Sequence, residues 1–216
     1  MLPFTGFNHD DKRQYRYFIR DLRQELADTE IENRNEVHTW TTTNPDPLSH
    51  KRLVPKYVDV PFVRASRDPS SGTKRGSHLT VLIDIETHDL YAGIVLNLRE
   101  VEAHQEYIAD NVDDAVNYVV EQDLQLWASR NSVNHWKAGV AKTTDPAEMR
   151  SWLGSGSKDT IRAGGKDYKK AMFMRKCSTS EPATLVQEAK ETLLDFHDQF
   201  LCSDNLFSRP TLEDYE

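Results

Sequence analysis

The stretch from Ser77 to Val95 constrains the fold more than any other part of the chain. Leu79, Val81, Ile83 and Ile85 alternate with Thr80, Leu82 and Asp84, a period of two that sends the first set to one face of a strand and the second set to the other. The first strand therefore reads as buried on one side and half buried on the second. The polar residues Glu86 to Asp89 turn the chain into a second strand, Leu90 to Leu98, and the pair reads as a hairpin. Tyr91 stands on that second strand. An aromatic ring fixed on a strand is a rigid platform for a flat group such as a nucleobase, and the same position suits an ordinary core aromatic. Gly93, in mid-strand, removes a side chain and lets another backbone or a ligand come close.

The rest of the chain must decide between these uses. At 216 residues and 38% hydrophobic content, it is long enough for a core of its own. No run approaches eighteen apolar residues, and the start, Met1 to Asp10, lacks a basic region followed by an apolar one. A cytoplasmic chain without a membrane partner is expected. Cys177 and Cys202 lack metal-motif spacing and are expected as free thiols. The histidines show no metal spacing, and Gly154-x-Gly156 precedes no lysine at the distance a phosphate loop needs. No metal or cofactor is expected.

The formal net charge is -8, which gives no global attraction to nucleic acid. Basic patches occur at Lys51-Arg52 with Lys56, at Arg64-Arg67 with Lys74-Arg75, and from Lys166 to Lys176. Each is read first as a solvated face.

Residues 11 to 28 read as an amphipathic helix, with Tyr15, Phe18, Ile19, Leu22 and Leu26 on one face. A polar connection fills 29 to 56, and Tyr57 to Val63 alternates like a strand in which Pro61 marks an edge or an end. A loop from Ser66 to Gly76 leads into the hairpin. Beyond residue 105 the pattern turns helical. Val112, Ala115, Val116, Val119 and Val120 recur at helical spacing, and Leu124, Leu126 and Trp127 prolong the apolar content. Thr144-Asp145-Pro146 is a helix start, with a polar cap and a proline in the first turn. Ser178 to Ser180 supply capping residues for a helix from about 181 to 201. The order predicts an α+β fold, with a helix and sheet part at 1–105, a helical part at 106–216, and both in one domain.

The series Tyr15-x-x-Phe18-Ile19-x-x-Leu22-Arg23-x-x-Leu26, then a strand, then Gly76-Ser77-x-Leu79-Thr80-x-x-Ile83-Asp84 and Leu90-Tyr91, resembles the amino-terminal half of the plant ribosome-inactivating proteins. The resemblance covers residues 12 to 98. It implies a mixed sheet followed by helices, and an rRNA N-glycosylase that removes one adenine from large-subunit ribosomal RNA and so inhibits translation. The adenine must leave its stack and lie between two aromatic rings. A cation must meet the departing base, and a carboxylate must stabilise the oxocarbenium-like sugar or steer water.

By this resemblance Tyr91 matches the family's first stacking tyrosine. The family's Glu-Ala-x-Arg helix finds its nearest match in Glu188-Ala189-Lys190-Glu191, which assigns Glu188 as the acid and puts Glu191 where the family has arginine. Lys190 is adjacent, but one residue turns a side chain by about 100° on a helix. The second ring has two candidates. Trp136, with His135 a weaker choice, fits a count back from the Leu153-Gly154 turn, whereas Tyr168 fits the family's Gly-Gly-x-Tyr letters better.

Two functions follow. One is a weak or inactive N-glycosylase acting as a monomer on the ribosomal large subunit, with no DNA partner. The other is a catalytically dead relative that binds a ribosome or a protein. Loss of a charge aimed at transition-state charge costs on the order of 10²–10³ in rate, which favours the second.

Overall fold

In the computed structural model, which describes residues 2–7, 13–27, 29, 57–62, 78–84, 86–97, 111–129, 140–155, 160–168, 170–178 and 181–198, helix α1 spans Arg13–Glu25. It forms where the apolar spacing places it. Tyr15, Phe18, Ile19 and Leu22 are buried on one stripe, joined by Gln14. The short segment before α1 folds back over that stripe. Phe4 meets Phe18 edge-on at 5.2 Å, Phe7 stacks on Tyr15 at 5.3 Å, and the Phe4 N–H donates to Asp21. Each of these large side chains contributes about 1.5–3 kcal/mol by leaving water.

The strands are β1 (Tyr57–Phe62), β2 (His78–Asp84), β3 (Leu90–Asn97), β4 (Gln125–Ser129), β5 (Val140–Thr143), β6 (Ile161–Ala163), β7 (Lys166–Tyr168) and β8 (Lys170–Cys177). Helices α2 (Val112–Glu121), α3 (Pro146–Gly154) and α4 (Pro182–His197) complete the described elements. Six strands make one sheet in the order β1-β2-β3-β8-β4-β5, while β6 and β7 pair separately. All the pairings among the described strands are antiparallel.

The α+β class is as the sequence predicts, but two finer expectations differ. The sheet is antiparallel among the described strands rather than mixed, and the second part of the chain is not simply helical. It contributes β4, β5 and β8 to the same sheet as the hairpin. The apolar residues Leu126 and Trp127, read as prolonging a helix, lie on β4. The helix before them stops because Asp123 takes a positive φ of 51°, which turns the chain out of the right-handed region.

Pleating gives the sheet two distinct faces. Leu79, Val81, Ile83, Leu90, Ala92, Ile94, Leu126, Ala128, Ala171, Phe173 and Cys177 belong to the larger core, together with α1 and α4. Leu82, Tyr91, Val95, Trp127, Met172 and Met174 form a separate cluster on the other face. Both faces are buried, so the half-exposed second face expected for β2 is not found: Thr80 and Asp84 are buried as well.

The helix starts divide. Asp145 caps α3, accepting from the Ala147 N–H at 2.8 Å with Pro146 in the first turn. In α4 the N-cap is Glu181, which makes no side-chain cap bond; of the expected capping run only Ser178 is described, and 179 and 180 lie outside the described residues. Proline at the first helical position needs no N–H partner and presets φ there.

Two glycine sites show why the chain needs them. Gly164 and Gly165 both have positive φ, 54° and 74°, the conformation of a tight turn between hairpin strands, and they join β6 to β7. Gly93 sits opposite Met174 of β8. A Cβ there would run into the Phe173 carbonyl oxygen and lie 2.9 Å from the Met174 sulfur. The close neighbour anticipated for Gly93 is therefore a backbone.

We expect Gly93→Ala to destabilise the protein by about 3 kcal/mol, the upper part of the overpacking range, because the obstacle is main chain and cannot rotate away. Gly164→Ala, where no atom lies within 4 Å of the added Cβ, carries only the left-handed strain of about 1–2 kcal/mol. Urea titration of both variants measures the difference.

Candidate functional site

The residues singled out from the sequence lie in three places. Tyr91 is on β3 and points to the smaller cluster. Its ring meets Trp127 edge-on at 4.8 Å, and the Lys142 ammonium from β5 sits 5.0 Å from the Trp127 ring and 5.7 Å from the Tyr91 ring. The Trp127 indole N–H donates to Gln125 Oε1 at 2.9 Å. This placement follows from register, because Leu82 is opposite Tyr91, and Trp127 is opposite both Met172 and Lys142. Tyr91 is 3% exposed and Trp127 0%, so no face of either ring is open to a nucleobase.

The Tyr91 hydroxyl reaches Asp89 at 3.5 Å, and Lys176 pairs with the same carboxylate at 2.8 Å. Burial pushes the Asp89 carboxyl up, but the bonds from Lys176, Thr87 and Tyr91 and the lysine charge together hold it below its ordinary value. Asp84 shapes the turn beneath, accepting from the Glu86 and Thr87 N–H groups at 2.9 and 3.3 Å. His88 takes a positive φ of 61°. These contacts close the hairpin.

Glu188 and Glu191 are on α4, which packs on the opposite face of the sheet through Leu185, Ala189, Leu193 and Phe196. Tyr91 and Glu188 are thus separated by the sheet itself. Glu188 Oε1 accepts the Ser178 N–H at 3.1 Å and so closes the link from β8 into α4. Glu191 is exposed and accepts from the Gln187 side chain at 3.0 Å, one helical turn away. Lys190 pairs with Glu25 of α1 at 3.2 Å. Tyr168 is buried in the larger core at the end of β7, paired with Ile161. Trp136 and His135 lie outside the described residues, as does Cys202.

A second group of polar side chains was not singled out from the sequence. Arg175 projects from β8 between α2 and α4. Its guanidinium pairs with Asp195 at 3.2 Å, reaches Gln122 Oε1 at 3.5 Å, and lies 5.6 Å from the Phe196 ring centre. Tyr118 of α2 is close by. Burial, and then the Asp195 charge, raises its hydroxyl to about 12 against a partial offset from Arg175. Two residues further along β8, burial and the Glu188 charge push the Cys177 thiol up to about 12, with Arg175 and a backbone bond from Ala92 opposing. The sequence displayed Arg175 only as one member of a basic run. Nothing in that run marks Arg175 as the cation that pairs with a helix.

This arrangement brings a cation, a carboxylate and a phenol together, and the cation is already paired with the carboxylate. A phenol and a thiol held neutral far above neutrality serve neither as general base nor as nucleophile near pH 7. Among the described residues, no three His, Cys, Asp or Glu side chains converge to hold a metal, and no helix is long and apolar enough to cross a membrane.

The raised groups fix an alkaline limit. Both folded values lie above the ordinary 10.0 and 9.0, so their contribution to stability is intact below about pH 9 and lost as the pH rises toward 12. Urea midpoints taken from pH 8 to pH 11 should fall, and the fall should be shallower in Tyr118→Phe and in Cys177→Ala. Cys177 in the folded chain should also resist a thiol reagent at pH 8 until denaturant is added.

Compared with known proteins, the chain matches no family model, no curated protein and no solved structure.

Proposed function

We propose that this chain is a binding module for another protein and does not cleave the N-glycosidic bond of ribosomal RNA. One observation carries the proposal. The aromatic and the acid that the resemblance assigns to a common site stand on opposite faces of the sheet, each with a structural task of its own. Tyr91 braces Trp127 and the hairpin, and Glu188 holds the β8–α4 link. An N-glycosylase needs its stacking ring and its carboxylate around one sugar, and rearranging a six-stranded sheet to bring them together would dismantle the core.

Kinship with the ribosome-inactivating proteins draws its support from α1, a following strand and the β2–β3 hairpin, whose letters carry the resemblance. On this reading the chain keeps that amino-terminal part as a scaffold. The acidic balance of -8 favours a protein partner over RNA, because it supplies no long-range attraction to phosphates.

The test uses intact eukaryotic ribosomes. After incubation with micromolar protein and aniline treatment of the RNA, no scission fragment should appear, against a depurinating enzyme as positive control. Release of the fragment by this chain would overturn the proposal, and its persistence in Glu188→Ala would in addition dissociate the activity from the residue assigned as acid.

A further inference from the structure

We infer that residues 2–7 sit in a peptide-binding groove as a displaceable stand-in for a partner, and that the partner's segment is extended and carries two aromatic side chains three residues apart. The inference rests on the binding-module reading and names the chemistry of the ligand.

The groove is defined by what fills it. Residues 2–7 have no helix or strand of their own, yet α1 meets them at three main-chain groups. The Thr5 N–H donates to Gln14 Oε1 at 3.1 Å, the Phe4 N–H to Asp21 Oδ2 at 3.0 Å, and Arg20 donates to the Leu2 carbonyl oxygen at 2.8 Å. Gln14 and Asp21 are about two helical turns apart and so share one side of α1. Gln14 is only 8% exposed, an unusual place for an amide, and an extended main chain satisfies its carbonyl. Arg20 also bonds Asp21 at 2.7 Å, which fixes the carboxylate that takes the Phe4 N–H.

Two rings supply the specificity. Phe4 packs edge-on against Phe18 at 5.2 Å, while Phe7 stacks on Tyr15 at 5.3 Å and tilts against Phe18 at 5.3 Å. Gly6, at a φ of 109°, passes Pro182 at the start of α4. Polar side chains that hold main chain, beside apolar sites for spaced side chains, are the means by which a surface reads an extended peptide.

The hold is modest. Within residues 2–7 only Phe4 is buried, and Leu2, Pro3 and Thr5 are exposed. The entropy of ordering the segment offsets much of what two aromatic side chains and three hydrogen bonds contribute. Opening bares the aromatic stripe of α1 and leaves Gln14 without that donor, a state that favours refilling by a segment of the same pattern. Tethering sets the competition. A linked segment acts at an effective concentration on the order of millimolar, so a partner enters only by binding more tightly than the resident residues.

The test uses the full chain, and fluorescence anisotropy with a labelled peptide of the sequence of residues 2–7. The unaltered chain should bind it weakly, and Phe4→Ala with Phe7→Ala at least about tenfold more tightly, because the resident segment no longer competes. Replacing both phenylalanines of the peptide by alanine should abolish that binding. Gln14→Ala added to the double variant should weaken it about fivefold. Circular dichroism checks the fold of each variant. Where the double variant fails to fold, hydrogen exchange on the unaltered chain decides: the Phe4 and Thr5 amides should exchange at least about 100-fold faster than those of β3 and β8. Exchange at the β3 and β8 rate, equal affinity of both folded chains for the peptide, or equal binding of the alanine peptide would overturn the inference. A dimer of the unaltered chain that the double variant loses would assign the groove to a second copy and overturn it too. Ribosome scission reads the parent proposal separately: a fragment alongside the expected peptide binding overturns that proposal alone, and absent peptide binding without a fragment overturns only the present one.

Discussion

The close approach of β3 and β8 is the constraint on which the rest of the structure depends. Residues 90–97 pair along their whole length with residues 170–177, and the absence of a side chain at Gly93 is what lets the Phe173 main chain come near enough. That seam joins the hairpin strands to β4 and β5 on the far side. It also sets both faces of the sheet, since the pleat of β8 sends Phe173 and Cys177 toward the helices and Met172 and Met174 toward Trp127. A strand buried on both sides must be apolar at nearly every position. β8 meets that demand in its middle, with Ala171 to Met174, and carries charge at Arg175 and Lys176 where polar partners await.

That same property hides β8 from a reading of the sequence. Alternation identifies strands with one wet face, such as the expected pattern on β2, and helical spacing identifies α1 and α4 because each has one dry stripe. A short strand with two dry faces and lysines at its margins has neither signature, so Lys166 to Lys176 looks like a basic cluster. β4 is lost for a related reason: Leu126 and Trp127 follow closely on a helix, and only the left-handed turn at Asp123 separates them. The cap of α3 was legible because Asp145 and Pro146 act locally. The cap of α4 was not, since its cap position falls on Glu181, which makes no side-chain cap bond.

Tyr91 and Glu188 fall on opposite faces of the sheet for a reason that spacing along the chain cannot express. Whether Tyr91 meets Glu188 depends on the parity of one strand position and on the face against which a distant helix packs. Ala92, one residue on, faces α4 with the larger core, whereas Tyr91 faces Trp127. Residue types suited to catalysis thus became braces. The Arg175–Asp195 pair illustrates the same outcome, binding strand to helix beside a phenol that stays protonated into strongly alkaline solution.

The position of β8 in the sheet has a consequence for how the protein is made. Its partners on one side, residues 90–97, are synthesised long before it, and among the described strands of the sheet it is the last to be translated. Until it arrives, β3 and β4 each present an open edge of unpaired main-chain groups, the template on which strands of other molecules add. The nascent chain must therefore hold two unfinished sheet fragments apart from their neighbours, and pairing over so long a span slows the final closure. A chain interrupted ahead of residue 170 would keep both edges and lose the strand that covers them.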